Sequence, residues 1–308
     1  MTLTRHRIID ATTPGVRRDH GRFNVNGPSV LATPSWMPEP PGRYLMFFAH
    51  HVGESIRLAA ADKPTGPWRL VDPDVLNVDD TPSDRQPHIA SPDVHADDGR
   101  QRFVMYFHGM VPAEVGGHLP CWGMYPSLNQ KTMVATSDTG RHFTLVAPVV
   151  GVAPSYLRMF EADDAWYGVA MPSQVVRSPD GLRGFTYGPM LFDDDEIRHC
   201  CVSHDPERRE LEMLFTRCYE APERIYRTVI DTSGDWRNWI PGPVTEFMRP
   251  AEDWEGAEEP LKPVPRGLAA GRQNGLRDPC VLAAGNKRWL FYAAAGEDAL
   301  GVTEIAGL

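Results

Sequence analysis

The chain has 308 residues, with 31 Lys and Arg against 41 Asp and Glu and a formal net charge of −10. An acidic chain with no basic cluster is a poor partner for nucleic acid or an anionic membrane, so neither is expected. No run is long and apolar enough to span a bilayer, and the N-terminus lacks the apolar stretch of a signal peptide. The Cys number is odd, with no CxxC spacing, so a cytoplasmic, reducing setting is predicted.

In chain order the candidate elements are short strands. Leu3–Ile9 is the first. A phrase of strand, strand, strand and turn then recurs five times with different spacers. The fullest copy is Gly27-Pro28-Ser29-Val30, then 43–48, then 55–62, closed by Thr65-Gly66-Pro67-Trp68. The second copy starts at Ser91-Pro92-Asp93-Val94, continues through 102–107 and 131–136, and turns at Ser137-Asp138-Thr139-Gly140. The third runs from Ser155 through 166–170 and 173–178. The fourth runs from Arg198 through 211–215 to 223–228, and the fifth from Arg277 through 289–292 to 300–305. The segments are rich in Val, Ile, Phe, Tyr and Trp and are bounded by Gly, Pro, Asp and Ser, which are strand and turn signals. No long stretch has helical periodicity.

A repeat of strands cannot bury its apolar faces alone, so the copies must pack on one another. The predicted fold is all-β, a five-bladed β-propeller in one domain spanning 1–308. The fifth copy offers only three strong strands, so the N-terminal strand Leu3–Ile9 is predicted to supply its outer strand and close the ring.

The inner strands of a propeller converge on a central channel, where polar groups are costly to bury unless they bind something. Their openings hold Asn24 and Asn26, then Ser91, Asp93 and His95, Arg158, Arg198 and His199, and Arg277 and Asp278. Middle strands add His50, His51, His108 and Arg217. Two carboxylates across a pocket can act as acid and base on a glycosidic bond, and Asp93 and Asp278 are the best-placed pair. An Arg partner for Asp278 is expected from another blade, Arg158 or Arg198, because neighbours in a strand face opposite ways. The loop Trp254-Glu255 before blade five is long enough for Glu255 to reach over the mouth. Trp122 and Tyr125, in the loop 118–125, are expected either to form an aromatic platform for a sugar ring or to pack beneath the loop. His51, His95, His108 and His199 suit acid–base work, hydroxyl contacts or metal ligation, although no tight ligand motif is present.

Arg57–Trp68, and Ser91-Pro92-Asp93-Val94-His95 before a Tyr/Phe-rich strand, resemble motifs of family-43 glycoside hydrolases and their relatives. The resemblance spans nearly the whole chain. It implies a five-bladed propeller with a sugar pocket at the channel mouth and inverting hydrolysis by three carboxylates. It also implies a calcium ion in the channel of some relatives. The departures matter: where the family has its base in an Asp-Pro pair opening blade one, this chain has Gly27-Pro28. At the openings of blades three and four it has Arg158 and Arg198-His199.

The expected function is therefore that of a divergent carbohydrate-active enzyme, a glycoside hydrolase acting on a small glycoside or oligosaccharide. Asp93, Asp278, Glu255 and His51 are the acid–base candidates. Asn26, His95, His108, Arg158, Arg198, His199, Arg277 and Trp122 would hold substrate. The Arg set would suit an acidic sugar. No cofactor is required by this chemistry, while a divalent cation in the channel stays open. A lyase or isomerase step on a uronate, and sugar binding without catalysis, are the alternatives.

Overall fold

The computed structural model describes residues 3–16, 23–51, 53–83, 88–111, 130–147, 151–194, 196–269 and 271–306. Its strands form five antiparallel sheets, the blades of a five-bladed propeller. The first strand, β1 (Arg5–Asp10), leaves its sequence neighbours and joins the last blade. Blade one is β2 (Asn26–Ala32), β3 (Tyr44–Ala49), β4 (Ser55–Ala61) and β5 (Arg69–Asn77). Blade two is β6 (Ile89–Asp97), β7 (Arg102–Met110) and β8 (Gln130–Ser137), with the short β9 (Thr144–Leu145) and β10 (Ala153–Pro154) both on β8. Blade three is β11 (Arg158–Ala162), β12 (Ala165–Ala170), β13 (Gln174–Ser178) and β14 (Thr186–Met190). Blade four is β15 (Ile197–Asp205), β16 (Glu210–Arg217), β17 (Ile225–Asp231) and β18 (Thr245–Met248). Blade five is β19 (Leu276–Ala284), β20 (Lys287–Ala294) and β21 (Ala299–Ile305), completed on its outer edge by β1. Among the described residues no helix is long and apolar enough to cross a membrane.

The core lies between blades. Strand alternation sends successive side chains to opposite faces. Phe47 on β3 therefore packs with Phe103 and Phe143 of blade two, while its neighbours Met46 and Phe48 pack with Phe291 of blade five. Tyr167, Phe215 and Trp236 fill the seam between blades three and four, and Leu214, Leu290 and Tyr292 the next one. Alternating strands with both faces apolar are what a ring of stacked sheets requires.

A second repeat sits at the start of the inner strands. Register breaks fall between Asn26 and Ser29, Ala90 and Asp93, Ile197 and Cys200, and Arg277 and Cys280. Each is a β-bulge, which re-aims a side chain beside a channel. Gly27, Ser91, Tyr156 and Asp278 take left-handed backbone, with φ of 56°, 51°, 58° and 52°. The residue just past the bulge then links blades. Ser29 Oγ accepts from Val94 N at 2.8 Å, Asp93 Oδ2 from Met159 N at 2.8 Å, and Cys280 Sγ from Val30 N at 3.4 Å.

Candidate active site

The bulges aim their side chains at one mouth of the channel. At position 27 no side chain fits: the backbone is left-handed and a Cβ would lie 2.7 Å from Ser91 Cα. Asp278 occupies the corresponding place in blade five. The Asp-Pro pair that the family resemblance puts at the opening of blade one thus stands here one blade away, as Asp278-Pro279.

Arg277 anchors this mouth. Its Nε donates to Glu223 Oε2 at 3.0 Å, its Nη1 to Glu297 Oε1 at 2.9 Å and its Nη2 to Gln273 Oε1 at 3.1 Å. Glu297 also accepts from Asn24 Nδ2 at 2.7 Å and lies 3.1 Å from His51 Nδ1. Burial alone would push the Glu297 carboxyl up, but His51, Arg277 and Arg198 together hold it well below the usual carboxylate range. Arg198 donates to the carbonyls of Pro265 and Gly267 at 3.2 and 2.6 Å and approaches Glu223 at 3.6 Å. Arg158 donates to the carbonyls of Ser91 and Pro92 at 3.1 and 3.2 Å. The three guanidinium groups are thus already engaged by carboxylates and backbone.

Asp278 is different. It is 1% exposed, and neither carboxyl oxygen has a hydrogen-bond partner among the described residues. His199 Nε2 lies 3.4 Å from its Oδ1, near enough for charge to act but not aligned as a hydrogen bond. Burial and the nearby Glu297 charge raise the Asp278 carboxyl to about 6, against the pull of Arg277, Arg158 and Arg198. It is the carboxyl group at this mouth poised to exchange a proton near neutral pH.

A row of rings runs from blade one to blade four. His51 stacks on His88 at 5.8 Å, His88 meets His108 at 5.6 Å, His108 meets Tyr156 at 4.5 Å, and Tyr156 meets His199 at 4.4 Å. Burial holds His88 down to about 3 and keeps His108 and His199 well below the usual imidazole range. His88, His108 and His199 are therefore neutral near pH 7. Among the described residues neither nitrogen of His108 has a partner, nor has His199 Nδ1, Ser91 Oγ or Asn26 Oδ1. Buried polar atoms without partners are costly, and here several converge on one place.

The mouth thus gathers Asn26, His51, His108, Arg158, Arg198, His199, Arg277 and Asp278. Four further residues were not singled out from the sequence: Glu223, Glu297, His88 and Tyr156. The signal for Glu297 was present, since it follows the second strand of blade five as His51 follows that of blade one.

Asp93 and His95 lie further along the inner strand, away from this mouth. They line a separate channel cavity of about 260 Å³ with Arg158, Cys201 and Cys280. Asp93 is bound by His95 Nε2 at 2.9 Å as well as by Met159 N, and His95 packs edge-on against Tyr106 and Trp166. Burial would raise the Asp93 carboxyl, but His95 and Arg158 hold it low. Glu255 is fully buried away from the channel. It is held by Arg5 of the outermost strand, by Tyr292 OH at 2.6 Å and by the Ala251 and Glu252 amides at 2.8 and 3.1 Å. Its loop, 251–256, packs against blade five, with Trp254 stacked on Tyr292, and the 3-10 turn Asp253–Glu255 folds the Glu255 side chain back on that backbone. Trp122 and Tyr125 lie outside the described residues.

Calcium prefers six to eight oxygen ligands. The mouth offers imidazoles, three guanidinium groups and carboxylates already paired with Arg, which does not suit it. Among the described residues no group of three or more His, Cys, Asp and Glu is placed to hold a metal ion.

No family model matches the chain. An uncharacterized protein of Acanthamoeba polyphaga mimivirus, R118, is 28% identical over 306 residues, covering 90% of this chain and 82% of that protein. Among solved structures, a family-43 β-xylosidase/α-arabinofuranosidase from a compost metagenome, with xylotriose, superposes with a TM-score of 0.63. It is 11% identical and covers 100% of this chain and 96% of its own. A family-130 enzyme, from a study of β-1,2 mannosidic linkages in Candida mannan, gives 0.62 at 11% identity, covering 99% and 94%. An N-acetylgalactosamine deacetylase from F. plautii gives 0.56 at 12% identity, covering 99% and 94%. The chain thus has the five-bladed propeller fold of the family-43 and family-130 glycoside hydrolases, at a large distance from them in sequence.

Proposed function

We propose that this protein is a carbohydrate-active enzyme that hydrolyses a small, neutral glycoside or oligosaccharide at the channel mouth. The observation that carries this is Asp278: a buried carboxyl, raised to about 6, with neither oxygen partnered among the described residues, beside hydroxyl, amide and imidazole groups that also lack partners there. In its protonated form Asp278 gives its proton to the leaving oxygen. A neutral imidazole takes a proton from the attacking water, and His108, with both nitrogens open, is placed for it across Tyr156. Asn26 and Ser91 bind sugar hydroxyls. The committed state of Arg158, Arg198 and Arg277 favours a neutral sugar over an acidic one.

The test is turnover of a panel of nitrophenyl glycosides and short oligosaccharides, with uronate-containing members, by the wild-type chain and by Asp278→Asn. We expect hydrolysis of a neutral member whose rate falls as pH rises through about 6. Asp278→Asn should lower kcat ~10²–10⁴-fold with little change in sugar affinity. An unchanged rate in that variant removes Asp278 from the reaction. A rate that rises through the same pH makes it the base instead. The open Nδ1 of His199 also suits proton abstraction from a uronate. Unsaturated products from the uronate members alone would establish that lyase reading in place of hydrolysis. Sugar binding without any turnover would make the protein a lectin-like propeller.

A further inference from the structure

The face opposite the mouth carries a second cleft, between blades three and four. Inner strands β11 and β15 start at the mouth and run away from it. The β11–β12 turn and the segment after β17 therefore meet on the far face. A cavity of about 230 Å³ lies there, walled by Tyr167, Trp236 and Trp239. Tyr167 meets Trp236 at 67° and Trp239 at 40°. Phe160 lies nearly parallel to both Tyr167 and Trp239, at 25° and 22°, and Arg237 lies 5.0 Å from the Trp236 ring, so these rings are held in place from behind and from the rim. Among the described residues the buried Trp239 Nε1 has no partner, although a buried indole N–H ordinarily finds one.

The polar groups of the cleft are a hydroxyl, an imidazole and two rim carboxylates. Thr232 offers a hydroxyl, with His204 Nε2 3.2 Å from it, and burial holds that imidazole below its usual range, so it is uncharged. Asp163 and Asp235 stand at the exposed rim, and each is met by its own cation, Arg209 at 3.2 Å and Arg237 at 3.4 Å. Aromatic walls with bare carboxylates would form a cage for an organic cation. With each rim carboxylate facing an Arg, the cleft instead suits a ligand with an apolar ring face and hydroxyls at its edge.

We infer that this cleft is a second saccharide site, for one neutral sugar ring, independent of the chemistry at the mouth. Gly234 gives a clean way to block it. It lines the cleft, and a Cβ there would meet nothing within 4 Å. Gly234→Leu is therefore tolerated by the fold and sets a bulky side chain at the edge of the cleft.

The experiment is saturation-transfer NMR with a panel of methyl glycosides on the Asp278→Asn protein, with and without Gly234→Leu, together with tryptophan emission. Melting curves confirm that each variant is folded. We expect at least one methyl glycoside to shift the tryptophan emission and to lose at least tenfold in affinity on Gly234→Leu, and several-fold on Thr232→Val. Equal sugar binding with and without Gly234→Leu overturns the inference, as does the absence of any sugar binding. So does tetramethylammonium binding that Gly234→Leu abolishes while no sugar responds. If the reading of the mouth is the one that fails, Asp278→Asn changes no rate while the effect of Gly234→Leu on binding stands.

Discussion

The residue that organises the mouth is Arg277. It is fully buried and spans two carboxylates, Glu223 and Glu297, from two blades. Breaking a buried charge pair by removing one partner leaves an uncompensated charge, at a cost of ~3–5 kcal/mol. Glu297→Gln keeps the shape but takes the charge from between Arg277 and His51. We expect it to lower unfolding free energy by about that range in urea titrations. A loss under about 1 kcal/mol would mean that Glu223 alone balances Arg277. The same network explains why Asp278 stays protonatable. The nearby cations are largely spent on Glu223, Glu297 and carbonyls, so burial wins at Asp278.

At the scale of the element, the inner strand has a fixed plan: a bulge that aims one side chain into the mouth, then a residue that hooks the next blade. Ser29, Asp93 and Cys280 share the second place. Asp93→Ala should therefore act mainly on stability, because it leaves the Met159 N–H without its partner, for ~1–3 kcal/mol. Ser29→Ala, equivalent in blade one, should cost about the same by loss of the Val94 bond. Urea melts of the two variants decide it, and an Asp93→Ala protein as stable as wild type would end the linking role. The strands themselves were legible in the sequence. β-branched and aromatic runs between Gly, Pro and Asp turns place all five inner strands within a few residues. The N-terminal closing strand, expected at Leu3–Ile9, lies at Arg5–Asp10. The site was less legible. Position along the chain does not say how deep in the channel a side chain sits, so Asp93 and Asp278, one motif apart in phase, read as a pair. The bulge separates them: Asp278 lies in it and Asp93 just past it. Glu255 read as a mouth residue because loop length says nothing of which way the loop folds.

Across the whole molecule, buried neutral imidazoles couple the fold to pH. His88 is held near 3 in the folded chain against 6.5 for a free imidazole, and His108 and His199 also lie well below it. The unfolded chain takes up protons that the folded one refuses. The stabilising effect is whole above 6.5 and is lost as pH falls, by ~1.4 kcal/mol per pH unit for each such His. Asp278 acts with the opposite sign. Its raised value adds stability at low pH that is lost as pH rises from 3.8 to about 6. Three groups outweigh one, so the melting temperature should drop steadily from pH 7 to pH 4.5, and His88→Asn should flatten that slope. A melting temperature flat across this range would mean that the mouth imidazoles are charged in the folded protein.

The closing strand has a mechanical consequence as well. β1 pairs antiparallel with β21, with Arg5 beside Thr303 and Asp10 beside Ala299. Both strands therefore present their outer ends at the same side of the latch. A force applied to the two ends of this molecule would not shear the ladder along its length. It would peel it, loading one pair at a time from Arg5 and Thr303 inward. The seam that completes the ring is thus also where the ring is softest to pulling, and a stretched molecule would open at blade five before any other blade gave way.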